Sequence, residues 1–138
     1  MDDRELHILL VDDDEVDVMN VQRAFQKNRL ANPIHVATNG LEALEKLRDG
    51  SIAGSRRLVL LDLNMPKMNG IEFLRALRAD PELQTTSVVV LTTSNEDRDK
   101  VEAYRLNVAG YLLKPVSFVS FVDVMAALNK YWTLVEMP

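Results

Sequence analysis

The sequence predicts a doubly wound α/β domain, a parallel sheet with helices packed on both faces. Three observations carry that reading. Five short runs rich in Val, Ile and Leu recur without polar alternation, as strands buried on both faces require. Between them lie stretches with apolar residues at spacings of three and four, as helices covering one side of a sheet require. The two kinds alternate along 138 residues, enough for one core and too few for two, so residues 1–138 are expected to form a single domain.

The first strand is expected over HILLV at 7–11, followed by Val18, Val21 and Phe25 at helical spacing. IHVA at 34–37 gives the second, and Leu41, Leu44 and Leu47 mark the helix after it. LVLL at 58–61 gives the third, followed by Ile71, Leu74 and Leu77. VVVL at 88–91 gives the fourth, followed by Val101, Tyr104 and Val108. YLL at 111–113 is the fifth. Phe118, Phe121, Val122, Met125, Leu128 and Trp132 then place a last helix, running on to about Val135, with residues 131–138 as its C-terminal extension. Turn chemistry agrees with this parsing: Asn39-Gly40 opens a helix, Gly50 closes one and Pro81 follows another. DGSIAGSRR at 49–57 reads as a long exposed loop.

Composition narrows the function. Sixteen Lys plus Arg against 21 Asp plus Glu give a formal net charge of −5, and no basic run exceeds Arg56-Arg57, so direct nucleic-acid binding is not expected. The chain has no cysteine, which removes disulfides, thiolate chemistry and Cys-bearing zinc sites. The N-terminus MDDRELHILLVDDD is acidic where a signal peptide needs positive charge, and no apolar run approaches the roughly 20 residues of a membrane span. A cytoplasmic protein without a membrane segment is expected.

In an open α/β sheet, ligands bind beyond the carboxyl ends of the strands, where following helices aim their N-termini inward. Here the first strand ends in Asp12, Asp13 and Asp14, the third in Asp62, the fourth in Thr92 and the fifth in Lys114. If the first, third, fourth and fifth strands lie side by side, these side chains converge. Two carboxylates about 5 Å apart repel by roughly 3 kcal/mol at an effective dielectric of about 20, a large fraction of a domain stability of about 5–15 kcal/mol. Lys114 alone neutralises one charge. A hard divalent cation, Mg²⁺ with Mn²⁺ as the alternative, offsets the rest, and such a cation keeps positions open for a phosphate oxygen. Asp62, isolated at a strand end, is then the candidate nucleophile that becomes an acyl phosphate. Asp12, Asp13 and Asp62 would ligate the metal together with the main-chain carbonyl of Asn64. Thr92 and Lys114 would donate to the phosphoryl oxygens.

At these positions the chain resembles the receiver domain of two-component response regulators. The matching motifs are LLVDDDE with Asp12 and Asp13, LLDLNMPKMNG with Asp62, VVVLTTS with Thr92, and YLLKPV with Lys114 and Pro115. Each is weak alone, but four in this order at the ends of the first, third, fourth and fifth strands are specific. The resemblance implies a flavodoxin-like (βα)5 fold of strand order 2-1-3-4-5 and a cis Lys114-Pro115 peptide. It implies a bacterial signalling phosphoacceptor rather than a turnover enzyme, one that promotes its own phosphorylation and dephosphorylation. The donor to Asp62 would be a histidine kinase or histidine phosphotransfer protein. Phosphorylation would draw Thr92 to the phosphate and turn Tyr111 inward, remodelling the face of the fourth helix, fifth strand and fifth helix. Asn64, Thr93 and Ser94 occupy the positions that tune loss of phosphate. No output domain follows the receiver, so a stand-alone regulator is expected. The long loop, LTTS and the ending YWTLVEMP resemble the small regulators associated with phytochrome-type histidine kinases. On that resemblance, Tyr131, Trp132, Leu134 and Val135 are expected to pair two protomers as a homodimer.

Plainer readings stand beside these. Residues 12–15 could be a solvated acidic turn capping the first helix. Tyr111 and Trp132 could be core, Gly70 is expected to supply a backbone conformation that other residues resist, and His7 and His35 are not expected to be ligands. Two other functions compete. A haloacid-dehalogenase-like phosphatase would use Asp12 as nucleophile and Asp14 as acid and base, but leaves Asp62 without a role. A receiver-like binding module would never be phosphorylated.

Overall fold

The computed structural model describes residues 6–27, 29, 32–52, 57–114, 123 and 127. Over these the aliphatic runs become β1 (His7–Val11), β2 (Ile34–Ala37), β3 (Arg57–Leu61), β4 (Ser87–Thr92) and β5 (Gly110–Leu113). The intervening stretches become α1 (Glu15–Lys27), α2 (Gly40–Arg48), α3 (Gly70–Ala79) and α4 (Asp97–Arg105). All strand pairs are parallel and the sheet order is β2-β1-β3-β4-β5, the expected doubly wound arrangement. The last helix, the Lys114-Pro115 peptide and the tail with Tyr131, Trp132, Leu134 and Val135 lie outside the described residues, apart from Asp123 and Ala127, which are helical.

Strand alternation divides the apolar residues between two cores. Leu9, Val11, Val59, Leu61, Val88 and Val90 face a layer holding Leu44, Leu47, Phe73, Leu74, Leu77 and Ala103 of α2, α3 and α4. Ile8, Leu10, Leu58, Leu60, Val89 and Leu91 face the opposite layer, with Val21, Ala24 and Phe25 of α1. Such two-sided burial is why these strands read as unbroken Val, Ile and Leu. It also fixes the strand ends rigidly, since Val11 pairs with Leu61 and Leu61 with Val90 at one rim of the sheet.

Three expectations need correction. The apolar spacing assigned to the fourth helix does not face the core: Val101 and Tyr104 of α4 are about half exposed, and only Ala103 of that helix is buried. Val108 is buried but follows the helix. The segment at 49–57 is not wholly a surface loop, because Ile52 is inserted in the core at 3% exposure. Gly70, finally, is not in the left-handed region; among the described residues the glycine at positive φ is Gly50, just past α2 at φ 79°.

Far from the acidic rim, His7 Nδ1 lies 3.1 Å from His35 Nε2 at the start of β1 and in β2. Burial, then His7 and Lys46, lower the pKa of His35 below its ordinary 6.5. The fold therefore binds fewer protons there than the unfolded chain, so this contribution to stability is complete above about pH 6.5 and is lost as pH falls below it. Urea unfolding at stepped pH should show that slope, and His35→Gln should flatten it; an unchanged slope would contradict the assignment.

Candidate functional site

Asp12 and Asp62 leave the sheet as neighbours. The Asp12 N–H donates to the Ala37 carbonyl at 3.0 Å, and the Asp62 N–H donates to the Val11 carbonyl at 2.9 Å. Both carboxylates are buried, at 2% and 7% exposure, whereas Asp13 faces solvent. One oxygen from each of Asp12, Asp13 and Asp62 lies within 4.8 Å of the others. An all-carboxylate set with one solvent-facing member suits a hard divalent cation that retains water ligands. Asp14 does not join this group. Its Oδ1 accepts the Val16 N–H at 2.9 Å and the Asp17 N–H at 3.3 Å, capping α1. The three carboxylates that meet are the expected Asp12, Asp13 and Asp62, with Asp14 left outside them. The phosphatase reading loses its acid and base, since Asp14 is committed to the helix.

Cationic and hydroxyl donors close over the pair. Thr92 is fully buried and donates to Asp62 Oδ1 at 2.9 Å, while the Asn64 N–H donates to the same oxygen at 3.2 Å. The Lys114 N–H is fixed by the Thr92 carbonyl at 2.8 Å. Lys114 Nζ reaches Asp12 Oδ2 at 2.7 Å and stands 3.7 Å from Asp62 Oδ2. Burial raises the Asp12 carboxyl above the usual carboxylate range, against the lowering effect of Lys114 and the Asp14 N–H. Burial also opposes charge on Lys114, but its hydrogen bonds to Asp12 and Asp17 outweigh this and raise its pKa, so it stays an ammonium.

The residues expected to tune loss of phosphate separate into two groups. Asn64 and Thr93 are exposed and meet over the mouth of the site, Asn64 Nδ2 donating to Thr93 Oγ1 at 3.4 Å. Ser94 is turned toward α4 instead. Its Oγ donates to Asp99 Oδ2 at 2.6 Å, its N–H donates to Thr92 Oγ1 at 3.2 Å, and its carbonyl accepts the Tyr111 hydroxyl at 2.8 Å. Tyr111 is half-buried against the core, so Ser94 joins Asp62, through Thr92, to both Tyr111 and α4.

The loop carrying Asp62 is held from behind by a close approach. A Cβ on Gly70 would stand 2.6 Å from Leu63 Cα and 2.7 Å from the Asp62 carbonyl, so glycine is required for contact rather than for an unusual φ. The Gly70 N–H donates to the Leu63 carbonyl at 3.0 Å, and an Asn69–Glu72 capping box starts α3 there.

One participant was not legible in the sequence. Asp17 Oδ2 accepts from Lys114 Nζ at 2.7 Å, across 97 residues of chain. The only local signal is an acidic residue in the first turn of α1, where acids are common whatever their partners.

Comparisons with known proteins bear on this arrangement. Residues 8–126 match the response regulator receiver domain family. The chain is 38% identical over 127 residues to the probable methanogenesis regulatory protein FilR2 of Methanothrix harundinacea (strain 6Ac), covering 91% of this chain and 82% of that protein. It is 34% identical over 128 residues to the response regulator Rcp1 of Synechocystis sp. (strain ATCC 27184 / PCC 6803 / Kazusa), covering 91% and 87%. The Mn²⁺-bound structure of Rcp1 superposes with a TM-score of 0.78 at 31% identity over 96% of this chain and 99% of that one. The phosphorylated cyanobacterial phytochrome response regulator RcpA superposes with a TM-score of 0.82 at 30% identity, covering 97% and 99%.

Proposed function

The chain belongs to the response regulator receiver domain family, and from that premise we propose that Asp62 is its phosphoacceptor in a Mg²⁺-dependent phosphorelay. One observation carries the assignment. Asp62 is a nearly buried carboxylate within 4.8 Å of Asp12 and Asp13, with a hydroxyl on one oxygen and an ammonium beside the other.

Asp12, Asp13 and Asp62 would hold the cation, Mg²⁺ with Mn²⁺ as the alternative, and the Asn64 carbonyl would complete the protein ligands. When bound, the cation neutralises the carboxylates and the phosphoryl oxygens, which is its part in the chemistry. Rcp1, whose structure was determined with Mn²⁺, supports that choice of metal class. A carboxylate attacks as its anion, so Asp62 would need no separate base in this step. Its oxygen attacks the phosphorus of a phosphohistidine donor, the P–N bond breaks, and the electron pair returns to the imidazole. Thr92 and Lys114 then donate to the transferred phosphoryl oxygens. With Thr92 drawn onto the phosphoryl group, Ser94 transmits the change to Tyr111 and α4.

Phosphate would come from a histidine kinase or histidine phosphotransfer protein in the cytoplasm. A phytochrome-type kinase is supported by the likeness to RcpA. Val101 and Tyr104 of α4 and Leu113 of β5 are exposed apolar side chains, which supports a homodimer through this face and the 131–138 extension of a single receiver domain. Mass in solution with and without residues 131–138 tests that pairing; a monomer in both refutes it.

The test of the site itself is stoichiometry. With acetyl phosphate and Mg²⁺ the chain should take up one phosphoryl group and lose that capacity with a chelator. Steady turnover of phosphomonoesters would make it a phosphatase, and uptake unaffected by chelation would remove the metal role.

A further inference from the structure

Lys114 has more anionic partners than the transfer step requires. Its ammonium has three N–H donors. Two are spent on Asp12 Oδ2 and Asp17 Oδ2, each at 2.7 Å, while Asp62 Oδ2 stands off at 3.7 Å. The Lys114 side chain is 10% exposed, so an ammonium stripped of its partners here would be a buried uncompensated charge.

Asp12 is wanted by two cations at once. Its Oδ1 already accepts the Asp14 N–H at 2.9 Å, and Lys114 sits on its Oδ2. A divalent cation bound by Asp12, Asp13 and Asp62 competes with the ammonium for the same carboxylate. Asp17 is not a member of that three-carboxylate group. It lies in the first turn of α1, a third exposed, with its N–H held by the Asp14 side chain at 3.3 Å. That placement leaves Lys114 a second carboxylate when Asp12 passes to the metal.

We propose that Asp17 is a positioning residue that holds the Lys114 ammonium beside Asp62 while Asp12 is taken over by the divalent cation. This rests on the metal and phosphoacceptor reading given above. Asp17 touches neither metal nor phosphate; it acts through Lys114. Without it, Lys114 stays on Asp12 and resists the incoming cation.

A double-mutant cycle read by Mg²⁺ calorimetric titration tests this. Asp17→Asn should weaken Mg²⁺ binding by roughly ten- to a hundredfold, the scale of one charge-assisted hydrogen bond. Lys114→Met, which keeps the apolar stem, should tighten Mg²⁺ binding, and in that background Asp17→Asn should change affinity by less than about twofold. Lys114→Gln replaces Lys114→Met should the latter not fold. Equal weakening by Asp17→Asn with and without Lys114 would make Asp17 a distant charge or a plain helix-terminus acid and would overturn the proposal alone. Absence of Mg²⁺ binding in the unsubstituted protein would instead remove the metal reading, and the proposal with it. A merely structural role for Asp17 would move unfolding without producing that coupling.

Discussion

Lys114→Met should destabilise the metal-free protein by about 3 kcal/mol, because removing one partner of a buried ion pair leaves the other charge uncompensated. The buried partners left behind are Asp12, at 2% exposure, and Asp62, at 7%, with Asp17 a third exposed. Burial already raises the Asp12 carboxyl, and loss of the ammonium removes the largest influence holding it down. Asp12 then binds its proton more tightly folded than unfolded, so its ionised form is the destabilising one. The deficit should therefore be larger at about pH 8 than at about pH 5, where protonation relieves it. A saturating divalent cation supplies positive charge to the same carboxylates and should recover much of the loss, as any ligand that binds only the folded state does. Urea unfolding with and without Mg²⁺ at the two pH values reads all three effects. A variant as stable as the parent, or one that Mg²⁺ does not rescue, would contradict the electrostatic description of the site.

Arg78→Met should cost about 2–4 kcal/mol, since several charge-assisted hydrogen bonds vanish together. From α3 the guanidinium donates to four main-chain carbonyls: Leu106 at 2.7 Å, Gln84 at 2.9 Å, Thr86 at 2.7 Å and Asn107 at 3.1 Å. It thereby ties the segment before β4 to the C-terminal end of α4, where Asn107 takes a left-handed φ of 61°. Burial lowers its pKa, yet guanidinium remains charged throughout the working range. Arg78→Lys should restore little, because one ammonium cannot span the fork of acceptors. Hydrogen exchange should accelerate at Thr86, Leu106, Asn107 and Val108, while the β1 and β3 amides keep their protection relative to the lowered global stability. A loss below about 1 kcal/mol would show that water replaces the guanidinium at no real cost. With this end of α4 anchored, the opposite end is linked to the site through the Ser94–Asp99 hydrogen bond.

Much of this architecture was legible because burial leaves a plain mark in the sequence. β1 and β3 are apolar on both faces, so their residues could be assigned almost to the end, and polar residues that follow had to lie on the rim. Asp12, Asp62, Thr92 and Lys114 were found on that argument, and the fold brings them within hydrogen-bond or ionic reach of one another. What was not legible depends on direction rather than composition. Asp14 lies in the same acidic run as Asp12 and Asp13, yet its oxygen caps α1, while Asp13 joins Asp12 and Asp62 as expected. Asp17 meets Lys114 only because the sheet brings the start of α1 against the end of β5. Val101 and Tyr104 have the spacing of a buried face, but α4 turns them outward, which periodicity alone cannot distinguish from a core stripe. Gly70 was legible as a constrained position but not for the reason, since a close approach from Leu63 leaves no trace in local sequence.

The most direct test locates the phosphoryl group. After incubation with acetyl phosphate and Mg²⁺, peptide mapping of the unsubstituted protein should find one hydroxylamine-labile phosphoryl group on the peptide containing Asp62. Asp62→Asn, which keeps the size of the side chain and accepts hydrogen bonds from Thr92 and Asn64, should carry none. Label on the peptide containing Asp12, hydroxylamine-stable label on serine or threonine, or equal labelling of Asp62→Asn would contradict the assignment.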